Sequence, residues 1–385
     1  MKKLKIGLFL DNYFPTEDGV VMVVEHLAKE YQKYADVVVV VPKTGHEEDR
    51  GYPIIRVKSM KVPLTAYRLG SPFFEKNDFV QELKKENFDI IHIHSPFAIG
   101  KLGLKIGKSL HIPVICTMHT RFDFEFRKYL KNEWMVQKLV KYVARIYGQC
   151  DKCIAVNHAM KKVLKDYGYT KDAIVIHNGT EMTLLDHPSL IEKVKKQYQL
   201  DRQYTFLFVG RINEVKNIFF LLEVLKRLKQ KNISYKMLYV GEGPDEKKLK
   251  QKIKEYHLEE SIILTGKITD REYLKAIYYV SDLLLFPSLF DASSLVQIEA
   301  ASQKTPTVFI EGSVTSNTIT NNVNGFTALN DVEKYTDRVI EILKDKKLYE
   351  KVKERAYHDL ATPWSEIAKE TYNLYLNEIY KKETL

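Results

Sequence analysis

The sequence has few cysteines for its length. Cys116, Cys150 and Cys153 are the only three in 385 residues, which excludes a disulfide-rich secreted scaffold and indicates a reducing compartment. Cys150 and Cys153 have the spacing CxxC, but one such pair without a second is a weak signal for a metal or redox site. We interpret both as ordinary thiols at the start of a strand.

The sequence also lacks a long apolar run. None of its apolar stretches approaches the ~18–20 residues that span a bilayer. The opening residues, MKKLKIGLFLDNYF, have the character of a signal peptide for a few positions only. The apolar stretch is short, Asp11 interrupts it, and no small-residue cleavage site follows, so we predict a first β-strand and a cytoplasmic protein.

Several nucleotide-binding patterns are missing as well. There is no Walker A sequence, and the turn Gly241-Glu-Gly243-Pro244 is followed by Asp245 and Glu246 where a dinucleotide fingerprint needs a third glycine. Nicotinamide chemistry is therefore disfavoured. The sequence has no Asp-x-Asp pair of the kind that holds a divalent metal on a nucleotide-sugar, so we expect neither a metal nor another cofactor.

Positive charge is in excess. The formal net charge is +10 and the pI is near 9.1, which favours an anionic partner: nucleic acid, a phosphate ligand or an anionic membrane. Charge alone does not distinguish among these. The apolar fraction of 45% is ordinary for a globular protein.

Short Val- and Ile-rich runs alternate with amphipathic segments along the whole chain. In the first half the predicted strands are Lys5–Leu10, Val37–Val41, Asp89–His94, Pro113–His119, Lys152–Val156 and Ile174–His177, and the predicted helices are Val20–Tyr34, Ser71–Glu86 and Arg127–Tyr147. In the second half the predicted strands are Thr205–Val209, Lys236–Val240, Ile262–Thr265, Leu283–Phe286 and Thr307–Ile310. This alternation is typical of parallel sheets covered on both faces, so we predict an α/β protein with two Rossmann-like, doubly wound domains.

We place the domain boundary in the polar stretch around 186–202, which gives an N-terminal domain of residues 1–185 and a C-terminal domain of residues 186–362. The remaining segment, 363–385, contains WSEIAKETYNLYLNEIY after Pro363. No strand follows this amphipathic helix, so we expect it to cross back and bury its aromatic side on the N-terminal domain.

Polar clusters follow two strands of the first half, where ligands bind in open α/β sheets. Gly19 opens a helix after the first strand, and backbone amides there can approach a phosphate. A plain strand-to-helix turn explains this glycine equally well. His119 stands at the exit of another strand, where a satisfied structural histidine and a residue facing a cleft are both reasonable interpretations.

The sharpest cluster opens the second half. Gly210 and Arg211 follow a strand, and Lys216 lies five residues after Arg211. Arginine offers a planar fork and lysine a point charge, a combination that suits a diphosphate. Two solvated cations are the alternative, but cations are unfavourable next to a helix N-terminus.

Two carboxylates flank the next turn, in the stretch FPSLFDASSLVQIEA. Asp291 precedes a small, polar turn that includes Ser293 and Ser294, and Glu299 lies eight residues further on, inside a predicted helix. Amides at this helix start can face the diphosphate, while the carboxylates accept hydrogen bonds from sugar hydroxyls. A surface cap and a solvated glutamate form the alternative.

These residues resemble the retaining glycosyltransferases of family 4. The resemblance rests on Gly210-Arg211 with Lys216, on the GxGP turn, on Asp291 with Glu299, on Asn178-Gly179 and on the closing helix from Trp364. It covers nearly the whole chain and implies the GT-B fold, in which two Rossmann-like domains face a central cleft.

The resemblance also implies residue roles. Arg211 and Lys216 would bind the donor diphosphate, Glu299 the ribose and Asp291 the donor sugar, and His119 would lie at the reaction centre. Other positions matching donor-binding sites of the family are Gly19, Gly241, Ile268, Ser293, Ser294 and Leu295. The implied reaction retains anomeric configuration by same-face attack, and the leaving diphosphate helps to deprotonate the incoming hydroxyl.

The chain departs from the family at the first carboxylate. The family usually has Glu followed by Gly-Phe-Gly, where this chain has Asp291-Ala-Ser-Ser. Aspartate is one methylene shorter, and Ser293 removes an apolar wall, so the donor sugar is left open. In addition, Asp18 stands in the first place of the family's Gly-Gly phosphate loop.

For the acceptor, His92-Ile-His94-Ser-Pro-Phe97 and the following Gly100-Lys-Leu-Gly-Leu resemble the bacterial diacylglycerol glucosyltransferases. The segment Arg127–Tyr147 supplies physical support, because it carries six Lys or Arg, with Leu130, Trp134, Val140 and Tyr147 interleaved. Such a basic amphipathic helix fits an anionic membrane surface, on the inner face of the cell membrane. An ordinary helix burying one side on its sheet is the alternative, and no nucleic-acid motif accompanies the basic residues.

We therefore predict transfer of a hexose from a UDP-sugar, bound by the C-terminal domain, to a lipid such as diacylglycerol, bound by the N-terminal domain. Alternatives are transfer to a lipid-linked polysaccharide or a soluble acceptor, a non-catalytic GT-B subunit that stabilises a partner enzyme, and, more distantly, a sugar-nucleotide epimerase.

Overall fold

The computed structural model describes residues 3–16, 18–45, 48–61, 68–70, 78–201 and 203–384. The chain divides into two compact units. The first comprises Met1–Asn178 together with Trp364–Leu385, and the second comprises Gly179–Pro363. The first division lies before the predicted boundary at 185/186. The second follows Pro363, so the closing helix is part of the first unit.

The first unit alternates strands and helices. Its strands are β1 (Lys5–Phe9), β2 (Asp36–Pro42), β3 (Ile54–Val57), β4 (Ser59–Lys61), β5 (Arg68–Gly70), β6 (Ile90–Ile93), β7 (Val114–Met118), β8 (Lys152–Ala155) and β9 (Ile174–Val175). Its helices are α1 (Gly19–Tyr31), α2 (Phe79–Lys84), α3 (Ala98–Leu110), α4 (Phe122–Arg127), α5 (Glu133–Tyr147), α6 (His158–Asp166) and, at the end of the chain, α14 (Trp364–Glu383).

Seven of these strands form one sheet in the order β3-β2-β1-β6-β7-β8-β9, and every pairing in it is parallel. The continuous apolar runs of β2 and β6 are buried, as expected for a sheet covered on both faces. The strand order reverses between β1 and β6. In an open α/β sheet, the carboxyl ends of the strands at such a switch point form a crevice.

The second unit repeats the design. Its elements are α7 (Pro188–Tyr198), β10 (Tyr204–Val209), α8 (Ile218–Gln230), β11 (Tyr235–Val240), α9 (Glu246–Glu255), β12 (Ile262–Gly266), α10 (Arg271–Val280), β13 (Leu283–Phe286), α11 (Leu295–Ser302), β14 (Thr307–Ile310), β15 (Phe326–Ala328), α12 (Val332–Lys344) and α13 (Lys346–Leu360). The sheet order is β12-β11-β10-β13-β14-β15, all parallel, which is the order of a Rossmann sheet. Its switch point lies between β10 and β13. The predicted fold of two doubly wound parallel-sheet domains is confirmed.

Two predicted helices differ from the structure. The prediction of one helix over Arg127–Tyr147 is wrong, because α4 ends at Arg127 and α5 starts at Glu133. Asn132 caps α5 by accepting hydrogen bonds from the amides of Trp134 and Met135. The predicted helix Ser71–Glu86 falls partly outside the described residues, and its described part is α2.

Helix α14 packs on α1 within the first unit. The Trp364 ring stacks on His26 with centroids 5.2 Å apart, and the Tyr375 hydroxyl accepts a hydrogen bond from Tyr31 at 3.1 Å. The aromatic side of this helix is therefore buried on that unit. Among the described residues, no helix combines the length and apolarity needed to cross a membrane.

Candidate functional site

The carboxyl ends of three neighbouring strands in the second unit come together through glycines. Gly210 donates a backbone hydrogen bond to Val240, and Gly241 donates one to Gly266, at 3.0 and 2.9 Å. Gly241 has a φ of 136°, and a Cβ atom there would lie 2.0 Å from the Gly210 carbonyl oxygen. Only glycine fits this approach, which explains the GxGP turn.

Both predicted phosphate-binding cations lie at this edge. Arg211 directly follows the loop residue Gly210, and its side chain is exposed. Lys216 ends a short 3-10 turn, Glu214–Lys216, which Asn213 caps by accepting from the Lys216 amide at 3.2 Å. The two cations thus stand between the end of β10 and the start of α8.

Lys216 and Asp291 form an ion pair across the switch point. The Lys216 ammonium donates to Asp291 Oδ1, and each side chain retains about a fifth of its exposure, 23% and 21%. The second oxygen, Asp291 Oδ2, is buried without a hydrogen-bond partner. The sequence placed the two residues in one site but did not predict their mutual contact.

The turn after Asp291 leads into α11 as predicted. Ser294 is the N-cap residue, but its side chain makes no capping hydrogen bond, and its hydroxyl is buried without a partner. Ser293 is half-buried and Leu295 is the first helical residue. Helix N-termini carry unpaired amides and a partial positive charge, so this end of α11 suits an anion.

Glu299 lies one turn inside α11 and is held by two donors. Its carboxylate accepts hydrogen bonds from Arg271 at 2.6 Å and from the Tyr278 hydroxyl at 2.8 Å. Burial raises the pKa of Glu299, while Arg271 opposes that rise. Arg271 and Tyr278 belong to no recognisable motif, so the sequence alone does not indicate their contact with Glu299. Ile268, predicted to bind the donor, follows β12 and packs half-buried on the core of this unit.

In the first unit, the amides at the start of α1 already have a partner. Val20 and Val21 donate to the Asp18 carboxylate at 3.0 Å each. The expectation that amides near Gly19 meet a phosphate stays a prediction, and a phosphate bound there would share this helix N-terminus with the Asp18 carboxylate.

At the switch point of the first sheet, the amides at the start of α3 also have a partner within the protein. The Asp11 carboxylate accepts from the amides of Phe97, Ile99 and Gly100 at 3.1, 2.7 and 3.2 Å, and from the Ser95 hydroxyl at 2.6 Å. Asp11 thereby neutralises the start of α3. Of the two switch points, the one in the second unit is therefore better suited to a diphosphate, since it presents Arg211 and Lys216.

His119 is not a lone histidine. It follows β7 and its Nε2 lies 3.0 Å from Nδ1 of His94, whose own Nε2 is buried without a partner. Burial lowers the pKa of His119 to about 3 and that of His94 well below its ordinary value. At neutral pH both imidazoles are uncharged.

His92 belongs to a separate chain of hydrogen bonds. Its Nδ1 lies 2.7 Å from the Tyr375 hydroxyl and its Nε2 lies 2.7 Å from the Thr117 hydroxyl. Because Tyr31 donates to Tyr375, the Tyr375 proton is available to His92 Nδ1, and His92 then donates from Nε2 to Thr117. His92 therefore links the sheet to α14.

The basic segment presents a mixed surface. Val140 and Tyr147 of α5 are buried in the core, so that side of the helix packs on its own unit, whereas Tyr129, Trp134 and Met135 are exposed. Exposed cations nearby are Lys131, Lys138, Lys141 and Arg145. The three cysteines are buried and free.

Two family profiles match the chain in tandem. The family described as "Glycosyltransferase Family 4" matches residues 18–184, and the family described as "Glycosyl transferases group 1" matches residues 191–359. The chain belongs to the family 4 glycosyltransferases of GT-B fold, as its sequence motifs indicate.

Two similar proteins bear the name alpha-monoglucosyldiacylglycerol synthase. The one from Streptococcus pneumoniae is 28% identical over 316 residues, which are 79% of this chain and 70% of that protein. The one from Acholeplasma laidlawii is 24% identical over 323 residues, 79% of this chain and 80% of that protein. Among solved structures, Anabaena HepE in complex with UDP and glucose has a TM-score of 0.77 at 17% identity, covering 96% of this chain and 99% of that chain, which shows a shared fold.

Proposed function

We propose that this glycosyltransferase moves a hexose from a UDP-sugar to a hydroxyl of a membrane lipid such as diacylglycerol, with retention of anomeric configuration. The observation that carries the donor side is the switch point of the second unit, where Lys216 pairs with Asp291 shortly before the N-terminus of α11, Arg211 follows β10, and Glu299 lies one turn inside α11. Support for the acceptor comes from the two similar synthases named for diacylglycerol. Support for the donor comes from HepE, which was solved with UDP and glucose.

The Lys216–Asp291 ion pair gives each partner a role. In the free protein Asp291 compensates the ammonium at the place where the diphosphate would bind. A bound diphosphate would take over Lys216, and Asp291 would then accept hydrogen bonds from the hexose hydroxyls. As the glycosidic bond breaks, Lys216 and Arg211 would stabilise the growing charge on the leaving diphosphate. No protein nucleophile is required in this scheme, since the diphosphate itself takes the proton of the incoming hydroxyl.

The site is tested by Lys216→Ala with Lys254→Ala as control, since Lys254 is an exposed lysine in the last turn of α9, at the opposite end of that helix from the Gly241-Pro244 turn. Removing a group that stabilises transition-state charge typically costs about 100- to 1,000-fold in turnover. We expect this loss for Lys216→Ala, with a melting temperature within a few degrees of wild type, and full turnover for Lys254→Ala. An active Lys216→Ala enzyme would refute the assigned role.

Donor and acceptor are identified together by measuring UDP release from a panel of UDP-hexoses, with and without liposomes of diacylglycerol and an anionic lipid. Release that needs one hexose and diacylglycerol supports the proposal. Slow release from one UDP-hexose regardless of lipid would favour a lipid-linked polysaccharide or soluble acceptor. If no UDP is released from any UDP-hexose, the proposal is contradicted and a non-catalytic subunit is favoured.

A lipid acceptor requires contact with a membrane, and we propose the surface formed by Tyr129, Lys131, Trp134, Met135 and Lys138 for this contact. Trp134 and Tyr129 are 63% and 62% exposed, and the Lys138 ammonium lies 3.6 Å from the Trp134 ring centroid. Exposed aromatic side chains flanked by lysines fit the interface of an anionic bilayer.

The test is sedimentation with phosphatidylglycerol vesicles. We expect weaker binding for Trp134→Ala and Lys131→Glu, and wild-type binding for Lys247→Glu, which reverses an exposed charge on the other unit. Each lysine near an anionic membrane contributes about 1 kcal/mol, so charge reversal should lower the partition coefficient about tenfold or more. Equal binding by all three variants would refute this surface.

A further inference from the structure

Both donors that hold Glu299 come from one helix. Arg271 is the first residue of α10 and Tyr278 lies seven positions later, about two turns along the same helical face. Arg271 Nη2 donates to Glu299 Oε1 and the Tyr278 hydroxyl donates to Oε2. Each carboxylate oxygen is thus fixed by a separate donor, so the plane of the carboxylate is set by α10.

This arrangement leaves half of the carboxylate's acceptor capacity unused. A carboxylate has about four lone-pair sites, and the two hydrogen bonds occupy one on each oxygen. The Glu299 side chain keeps 14% of its exposure, so solvent reaches it from one side. One acceptor site on each oxygen matches the two hydroxyl donors of a vicinal diol.

We infer that Arg271 and Tyr278 are positioning residues that orient Glu299 so that it recognises the ribose diol of the donor nucleotide. The inference rests on the proposed function, in which Glu299 is the ribose-binding residue. It adds that ribose recognition depends on two residues of α10 that lie outside every motif of the site.

Charge and burial are consistent with these roles. Burial raises the pKa of Glu299, and Arg271 is the charged neighbour that opposes this rise, whereas Glu181, the other carboxylate on Arg271, adds to it. Arg271 therefore favours the ionised carboxylate that a diol requires. Burial also raises the pKa of Tyr278 well above its ordinary value, so its hydroxyl keeps its proton and remains a donor.

Tyr278→Phe tests the inference with a minimal change. Tyr278 is fully buried in the core, so phenylalanine keeps the packing and removes only the hydroxyl. Tyr235→Phe is the matched control, because the Tyr235 hydroxyl is also buried in the second unit and donates to the Leu225 carbonyl at 2.7 Å, away from Glu299. Arg271→Met removes the second donor, and Arg271→Lys restores its charge.

The readout is the ratio of dissociation constants for 2′-deoxy-UDP and UDP, measured by calorimetry on the full-length protein. We expect wild type and Tyr235→Phe to prefer UDP about tenfold, which corresponds to 1.4 kcal/mol. Tyr278→Phe and Arg271→Met should reduce this preference to about threefold or less, with partial recovery in Arg271→Lys. A variant that is partly unfolded would bind both nucleotides more weakly by the same factor, so the ratio of the two dissociation constants would not change.

The remaining outcomes separate the inference from the proposed function. If wild type prefers UDP and Tyr278→Phe keeps the full preference, the inference is wrong and the donor site stands. If wild type binds both nucleotides equally, Glu299 does not read the diol and the inference is again wrong. If wild type binds neither, the UDP-sugar donor is refuted and the inference with it.

Discussion

Acidification should destabilise the first unit through His92. Burial lowers the pKa of this histidine to about 3, whereas an unfolded histidine has a pKa of about 6.5. Between these values the unfolded chain binds one more proton than the folded chain, so the free energy of unfolding falls as the pH falls. The stability is fully present above about pH 6.5 and is lost progressively below it.

The magnitude follows from the two pKa values. Linkage gives a loss of about 1.4 kcal/mol per pH unit once the unfolded imidazole is protonated, and about 2 kcal/mol between pH 8 and pH 5 for one histidine. His92→Gln keeps an acceptor for Tyr375 and a donor for Thr117 but does not titrate. The variant should be less stable at pH 8, yet its loss between pH 8 and pH 5 should be smaller than that of wild type by about 2 kcal/mol.

Urea unfolding followed by tryptophan fluorescence detects this difference through the buried Trp364 of the first unit. The chain has two tryptophans, and both Trp134 and Trp364 belong to the first unit. Thr117→Val is the control, because it removes the hydroxyl that pairs with His92 and keeps the imidazole. It should cost about 1 kcal/mol at both pH values.

The comparison of slopes decides the outcome. If His92→Gln and wild type lose the same free energy between pH 8 and pH 5, His92 is not held uncharged in the folded protein. If the free energy of unfolding of Thr117→Val changes as little between pH 8 and pH 5 as that of His92→Gln, the hydroxyl, and not the imidazole, causes the pH dependence.

Two glycine substitutions should have opposite outcomes in the same fluorescence assay. Gly100→Ala should lower the free energy of unfolding by about 2–3 kcal/mol, because its Cβ would lie 1.8 Å from the Ser95 carbonyl oxygen. Gly19→Ala should leave that free energy unchanged, because the space around its Cβ is open. Asp291→Glu should change the ranking of UDP-hexoses in the UDP-release assay, because the longer side chain moves the carboxylate by about one methylene, and an unchanged ranking would show that Asp291 does not contact the hexose. The affinity for UDP should decline on acidification at a higher pH than for an ordinary glutamate, because burial raises the pKa of Glu299; a flat calorimetric profile would argue against an ionised Glu299 in binding.

The parallel sheets were accessible from sequence because their strands are continuous apolar runs, which local periodicity detects. Strands β3 and β15 were not predicted, since each is an edge strand whose short apolar run is interrupted by a polar residue, Arg56 or Thr327. The break between α4 and α5 left a signal that was overlooked. Asn132 before Glu133 is a typical helix start.

The candidate site was accessible only in part. The sequence predicts that Asp291 and Glu299 flank one turn and that Arg211 and Lys216 flank another. Both predictions are possible because the two residues of each pair are close in sequence. The contacts between elements were not accessible, since the Lys216–Asp291 pair joins residues 75 positions apart and Arg271 reaches Glu299 from another helix. Such contacts depend on strand order, which a single sequence does not encode locally.

The attachment of α14 to the first unit has a consequence for biogenesis. A ribosome makes the N-terminal part of that unit first, then the whole of the second unit, and only then the helix that carries Trp364 and Tyr375. Until that helix has been made, His92 lacks its Tyr375 partner and the side of α1 that packs on α14 is uncovered. The second unit can therefore mature before the first, and a stop codon ahead of Trp364 would damage the first unit although the second unit had been made in full.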